Sequence, residues 1–175
     1  MPTVTRSSAG LGATGPFAGA ATGTVHDQVA VNVAALTELT RVMLPDLLAA
    51  GDGAIASIVG YQPAPGMAVY AASKAYVLSF TEALAHELRH TPLRVLALSP
   101  GSTRTEFYAT SATSEKGVRF QTPREVVETG LRALDASRTP SRVVSGTRNR
   151  LNLAVLRRLP RRAALTIMAN ASRPT

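Results

Sequence analysis

Apolar positions along the chain alternate between short continuous runs and stripes spaced by three and four. The stripes read as helices and the runs as strands. From Val31 to Ala50, the residues Val33, Leu36, Leu39, Met43 and Leu47 keep a helical spacing, and Pro45 should bend that helix or remove one backbone bond. Gly51-Asp52-Gly53 is a turn, and the strand after it reads as Ala54 to Ser57, short against a usual length of ~5–6 residues. An alternative draws Gly53 into the strand. The choice matters, because a slip of one residue reverses the direction of every side chain.

Tyr70 to Arg89 is the strongest helix, with Val77, Phe80, Leu84 and Leu88 as its apolar stripe and several alanines permitting close approach. Leu93 to Leu98 suits a buried parallel strand. Thr122-Pro123-Arg124-Glu125 reads as a helix start, with Thr at the cap, Pro at the first position and Glu at the third. Val126, Val127, Leu131 and Leu134 give that helix a buried face, and Arg142 to Ser145 is a plausible last strand. The opening, Met1 to Thr22, is rich in Gly, Ala, Ser and Thr, and Pro2 to Arg6 is a poor match for an apolar central strand. Beyond Arg150, a stripe of Leu151, Val155, Leu156 and Leu159 is interrupted at Pro160 and followed by Leu165, Ile167 and Met168.

Composition narrows the class. A chain of 175 residues with 45% hydrophobic content suggests one domain with a sizeable core. The absence of cysteine excludes a disulfide framework, a thiolate nucleophile and a cysteine-based metal site. No run has the apolar length of a membrane span, and the N-terminus lacks the apolar core of a signal peptide, so a cytoplasmic protein is the default expectation. The net charge of +8 is unevenly placed. Residues 1–140 balance 11 basic against 11 acidic side chains, while residues 141–175 carry eight arginines and no acid. That tail could lie on an anionic membrane surface. A solvated arginine face on a packed helix is the more frequent use of such a pattern, and nucleic-acid binding is the weaker expectation.

The chemistry concentrates in Ser57 to Lys74, SIVGYQPAPGMAVYAASK. Tyr70 and Lys74 stand four apart, on one face of a helix. A free phenol ionises near ~10, and a cation within a few ångströms lowers that value. A tuned tyrosine can then give a proton to a carbonyl oxygen or take one from an alcohol. Ser57, thirteen positions earlier, could meet the Tyr70 hydroxyl if the proline-stiffened loop between them folds back. His86 and His90 have a metal-ligand spacing, but no third ligand is evident, and they read as exposed residues near a helix end. Gly10-Leu11-Gly12-Ala13-Thr14-Gly15 matches G-x-G-x-x-G literally, without a convincing strand before it or helix after it.

Together, the serine spacing, the Y-x-x-x-K pair and the string GYQPAPGMAVYAASKAYVLSFTEAL resemble the catalytic segment of the short-chain dehydrogenase/reductase family, and the likeness runs from about Ala9 to about Asn152. It implies an α/β fold, a Rossmann-like doubly wound parallel sheet, here N-terminally truncated. It implies Tyr70 as general acid/base, Lys74 as the group that lowers its pKa and contacts the nicotinamide ribose, Ser57 as the holder of the substrate oxygen, and Asn32 as the anchor of a relay water. Ala9-Gly10 would line the adenosine side of an NAD or NADP cofactor, with Ser7-Ser8 in place of two asparagines. Pro100, Gly101, Thr103 and Thr105 would border the nicotinamide, and residues 106–121 would form a substrate lid. The Tyr70–Arg89 helix would pair with its twin in a homo-oligomer, and the substrate would be a small carbonyl or alcohol. Against the family pattern, the strand before Ser57 is about three residues short, and the glycine-rich turn that holds the pyrophosphate is not found. The chain thus reads as a partial Rossmann-like domain over residues 1–150, beginning near the family's fourth strand, with a basic amphipathic tail over 151–175. An inactive remnant unable to bind dinucleotide is the alternative, and a tail-mediated interaction module is a third.

Overall fold

The computed structural model describes residues 3–6, 10–111 and 118–171. Four parallel strands form one sheet in the order β1 (Thr3–Arg6), β2 (Gly53–Ile58), β3 (Arg94–Ser99) and β4 (Arg142–Val144). Parallel neighbours require crossover connections, and helices supply each of them. Between β1 and β2 run α1 (Thr22–Val29), a π-helical segment (Ala30–Ala35) and α2 (Leu36–Ala49); between β2 and β3 runs α3 (Ala68–Glu87). The short α4 (Phe107–Thr110) and α5 (Pro123–Leu134) join β3 to β4, and α6 (Thr147–Arg158) and α7 (Arg161–Ala171) follow the sheet. The α/β parallel architecture expected from the sequence is the one observed.

The pleat divides the core. Ile55 packs with Leu47, Leu84, Leu93 and Val95 beneath α2 and α3, and Val59 meets Leu36, Val77 and Ala97 on that same helical layer. Ala54, of opposite parity, packs with Leu96 and Leu134 on the α5 face. Leu96 and Val77 are fully enclosed, as expected for a central strand and the helix over it.

Two expectations, for the first strand and for the helix carrying Asn32, need correction, and one open alternative is decided. The Thr-Val-Thr-Arg segment does form a strand, in parallel register with β2 from Thr3↔Gly53 to Arg6↔Ala56. Cross-strand backbone pairing with the edge of β2 overrides its weak apolar pattern. Strand β2 begins at Gly53 and extends to Ile58, so the turn glycine is drawn in and the strand reaches ordinary length. The helix expected from Val31 starts at Thr22, so Asn32 lies inside a continuous helical run rather than at its opening. Helix α6 begins at Thr147 and runs through positions 150 and 151.

Candidate active site

Asn32 is the hub of the site. Its side chain is 2% exposed, and its Nδ2 donates to the Leu11 carbonyl at 2.8 Å and to Ser73 Oγ at 3.0 Å. Its Oδ1 accepts from the Leu11 amide at 2.8 Å. Ser73 Oγ donates in turn to the Tyr70 carbonyl at 2.7 Å. One carboxamide therefore ties the loop after β1 to the first turns of α3. The π-helical segment carries Asn32; such one-residue widenings recur where a helix must aim a functional side chain. Asn32 reads in the sequence as a cap or a water anchor, but the structure commits both its donors and its oxygen to protein partners. The bond to Ser73 was not legible, because it joins residues 41 positions apart.

Tyr70 and Lys74 occupy the face of α3 that meets this loop. Lys74 Nζ lies 5.7 Å from the centroid of the Tyr70 ring. A β-carbon at Gly10 would sit 3.4 Å from Lys74 Nζ and 3.8 Å from Asn32 Oδ1, so glycine lets the backbone come in against both. Gly12 passes close to Tyr70 and Phe107, where a β-carbon would stand 2.6 Å from the Phe107 ring. Phe107 closes on Tyr70 with ring centroids 5.0 Å apart, and Tyr108 stands edge-on to Phe107. Neither the Tyr70 hydroxyl nor the Lys74 ammonium has a hydrogen-bond partner among the described residues, and both side chains are half-buried. Ala9, expected beside Gly10, lies outside the described residues, as do Ser7 and Ser8.

The electrostatics differ from the sequence expectation. Burial pushes the Tyr70 phenol above its ordinary value near 10, with Tyr108 adding to the rise. Burial also pulls the Lys74 ammonium below its ordinary value. The lysine sits over the ring rather than at the hydroxyl, so removal from water outweighs its pull on the phenol. In this state the phenol keeps its proton.

Ser57 is not brought to this group. It lies within β2 opposite Ala97, on the same side of the sheet as Ile55 and Val59. It lines a cavity of about 20 Å³ with Leu36, Thr40, Met43 and Leu47 of α2, and its hydroxyl makes no hydrogen bond among the described residues. The strand-end position beside Lys74 is taken by Gly60, whose amide donates to the Lys74 carbonyl at 3.4 Å. A β-carbon at Gly60 would meet Lys74 Cβ at 3.2 Å. Gly60, three residues after Ser57, is thus the residue that meets the Lys74 backbone and side chain.

The Pro100–Thr105 loop follows β3 at the end of the sheet where parallel folds place ligands. Its groups are turned to internal use. The Gly101 amide donates to Gln121 Oε1 at 3.0 Å, and a β-carbon at Gly101 would overlap the Asn149 carboxamide. Asn149 Nδ2 donates to the same Gln121 oxygen at 3.0 Å and to the Ser145 carbonyl at 2.8 Å, and Gln121 Nε2 donates to Ser145 Oγ at 3.1 Å. Thr103 Oγ1 donates to the Gly101 carbonyl at 2.9 Å, and Thr105 is exposed at the start of α4. Gln121 and Asn149 carried no sequence signal, since the knot they form spans β3, β4 and α6. His86 and His90 are exposed, and no group of three metal-ligating side chains occurs among the described residues.

A nicotinamide dinucleotide fits this arrangement at one end. The unpartnered lysine and phenol beside the glycine backbone suit a ribose and its neighbouring ring. At the other end, α1 begins at Thr22, sixteen positions after β1 ends at Arg6, so Gly10–Gly15 does not form the tight strand-to-helix turn that cradles a pyrophosphate. Among the described residues no other turn takes that place.

Comparison with known proteins agrees with this geometry. The short chain dehydrogenase family model matches residues 6–116. A sulfoacetaldehyde reductase of Chromohalobacter salexigens is 42% identical over 86 residues, which cover 47% of this chain and 34% of that protein. A short chain dehydrogenase from Burkholderia cenocepacia, solved in complex with NADP, superposes with a TM-score of 0.73 at 26% identity, covering 91% of this chain and 66% of that one. A 7β-hydroxysteroid dehydrogenase superposes with a TM-score of 0.78 at 22% identity, covering 91% and 63%, a likeness of fold alone. The matched stretch is thus about a third of the curated relative and under two thirds of these structures. The tyrosine–lysine pair on α3, the asparagine beneath it, the parallel sheet and these matches together place the chain in the short-chain dehydrogenase family.

Proposed function

We propose that the chain carries the proton-transfer centre of an NAD(P)-dependent oxidoreductase acting on a small carbonyl or alcohol. The observation that carries this reading is the pair of half-buried, unpartnered polar heads, the Lys74 ammonium beside Gly10 and the Tyr70 hydroxyl on the ring that Gly12 passes. Lys74 and Tyr70 would hold the ribose end of the dinucleotide, whose chemistry when bound is hydride transfer. The chain's own part is the proton. Tyr70, kept protonated by burial, donates its proton to the oxygen of a carbonyl and is left as phenolate; in the reverse direction that phenolate takes the proton from an alcohol. Asn32 acts as a positioning residue, holding the Leu11 backbone and the first turn of α3 in register. Phe107 and Tyr108 shield the phenol from water.

The test is a titration of the full chain with NADPH and NADH, followed by fluorescence of the reduced nicotinamide. Saturable binding that Lys74→Ala weakens at least tenfold, while Ser57→Ala leaves it unchanged, supports the reading. A second reading, a non-catalytic member of the family, is favoured by the closure of Gln121 and Asn149 over Gly101. Absence of binding at millimolar concentrations of either cofactor would decide for it.

A further inference from the structure

We propose that the outward face of α6, continued by α7, binds an anionic lipid surface and lies along it. Arg148, Leu151, Val155 and Arg158 are spaced by three, four and three residues, which puts them in one stripe on α6. All four are exposed, Leu151 at 64% and Val155 at 50%. Asn149, Leu153 and Leu156, on the opposite side of the helix, are the half-buried residues. Where arginines merely solvate the outer face of a packed helix, its leucines and valines turn inward. Here an apolar pair stands at the centre of the outer face, with a guanidinium at either end. Beyond Pro160, α7 adds Arg161, Arg162 and Ile167, all exposed.

Charge complementarity selects the partner. Residues 141–175 carry eight arginines and no acid, and the chain's net charge of +8 resides there. Some of these arginines are engaged within the fold. Arg142 pairs with Glu82 at 3.0 Å, Arg150 donates to Thr147 Oγ1 at 3.0 Å, and the Arg157 guanidinium lies 4.8 Å from the centroid of the Tyr61 ring. Arg148, Arg158, Arg161 and Arg162 form no ion pair among the described residues. A nucleic acid would use these cations and leave Leu151 and Val155 in water, because affinity for its phosphates comes from charge. A second copy of the same face would set arginine against arginine. An anionic bilayer satisfies both kinds of side chain: headgroup phosphates meet the guanidiniums while the apolar pair enters the acyl boundary. No helix among the described residues is long and apolar enough to cross a membrane, so the contact proposed is with its surface. This inference does not rest on the redox reading of Tyr70 and Lys74.

The test is co-sedimentation of the full chain with unilamellar vesicles of phosphatidylcholine alone, and of phosphatidylcholine mixed with phosphatidylglycerol. The chain should sediment with the mixed vesicles and stay in solution with the neutral ones, and added salt should weaken the binding. Arg148→Gln with Arg158→Gln should reduce the affinity about tenfold or more, each arginine at an anionic surface contributing about fivefold. Leu151→Ser with Val155→Ser, which keeps every charge, should also reduce it about tenfold or more. The chain has no cysteine, so an environment-sensitive fluorophore on Val155→Cys reports that position alone, and its emission should move to shorter wavelength on the mixed vesicles. Equal sedimentation with both kinds of vesicle, undiminished binding in either double variant, or an unshifted label would overturn the assignment. So would duplex DNA bound more tightly than the mixed vesicles, which would mark a nucleic acid as the partner. Self-association lost in the Leu151→Ser, Val155→Ser variant would mark a second copy as the occupant and overturn it equally.

Discussion

A single buried carboxamide, Asn32, joins three segments that are far apart in sequence. Removing it leaves the Leu11 amide and carbonyl and the buried Ser73 hydroxyl without this partner. Asn32→Ala should therefore lower stability by about 2–4 kcal/mol, read from urea unfolding. The titratable pair makes a second prediction. Tyr70 is held above its ordinary value near 10 and Lys74 below its own near 10.5. The folded protein binds the Tyr70 proton more tightly than the unfolded chain does, so that contribution to stability is present below about pH 10 and lost as pH rises through the folded value. Lys74 has the opposite sign, its cost being relieved as pH rises through its lowered value toward 10.5. Absorbance of the tyrosines should show a fraction ionising late, above pH 10, from which Tyr70→Phe removes one residue. Lys74→Met should leave that late fraction in place, whereas a shift to still higher pH would restore the lysine as the tuning charge. The Y-x-x-x-K pair was legible because i,i+4 geometry is local. Ser57 was not, since its direction depends on the register of β2 against β3.

The elements best read from sequence are those whose start signals are local. At α5 the whole capping box is present. Thr122 Oγ1 accepts from the Glu125 amide at 3.2 Å, and Glu125 Oε2 accepts from the Thr122 amide at 2.7 Å. The Thr122 amide, and with it the Thr122 hydroxyl, donate to the Glu125 carboxylate and hold it below the usual carboxylate value. Thr122→Ala should cost about 1 kcal/mol in thermal or urea unfolding, and an unchanged stability would mean that packing alone sets the helix start. The π-helical segment and the early start at Thr22 were missed for a common reason. Thr22 to Val29 has little apolar stripe of its own and buries only Gln28, so its helicity follows from continuity with α2.

At the scale of the whole molecule, the described residues leave open a strand edge and an apolar helix face. Strand β1 pairs only with β2 among the described residues, and an edge strand is a template for further pairing. On the outer side of α2 and α3, Val42 is 73% exposed, with Leu39 and Tyr76 also exposed. Tyr76 is held there by a stack on Phe80 and a hydrogen bond with Thr37 at 3.0 Å. A second copy covering this face is the proposed oligomer. Val42→Glu should weaken self-association at least tenfold in sedimentation equilibrium, and an equally associated variant would move the interface elsewhere. The arginine-rich helices α6 and α7 bury Ala164 while leaving Leu151, Val155 and Ile167 exposed. No helix among the described residues is long and apolar enough to cross a membrane.

Sequence alone determined what depends on neighbours within a turn or two: the helix bearing Tyr70 and Lys74, the run that becomes β3, the cap of α5, and through the motif the family. Tertiary structure alone decided the rest. Whether Ser57 or Gly60 stands beside Lys74, that Asn32 spends its amide on Leu11 and Ser73, and that Gln121 and Asn149 close over Gly101 all depend on strand register and chain crossing. Those are set by packing between residues tens of positions apart, where no short-range spacing along the chain carries the information.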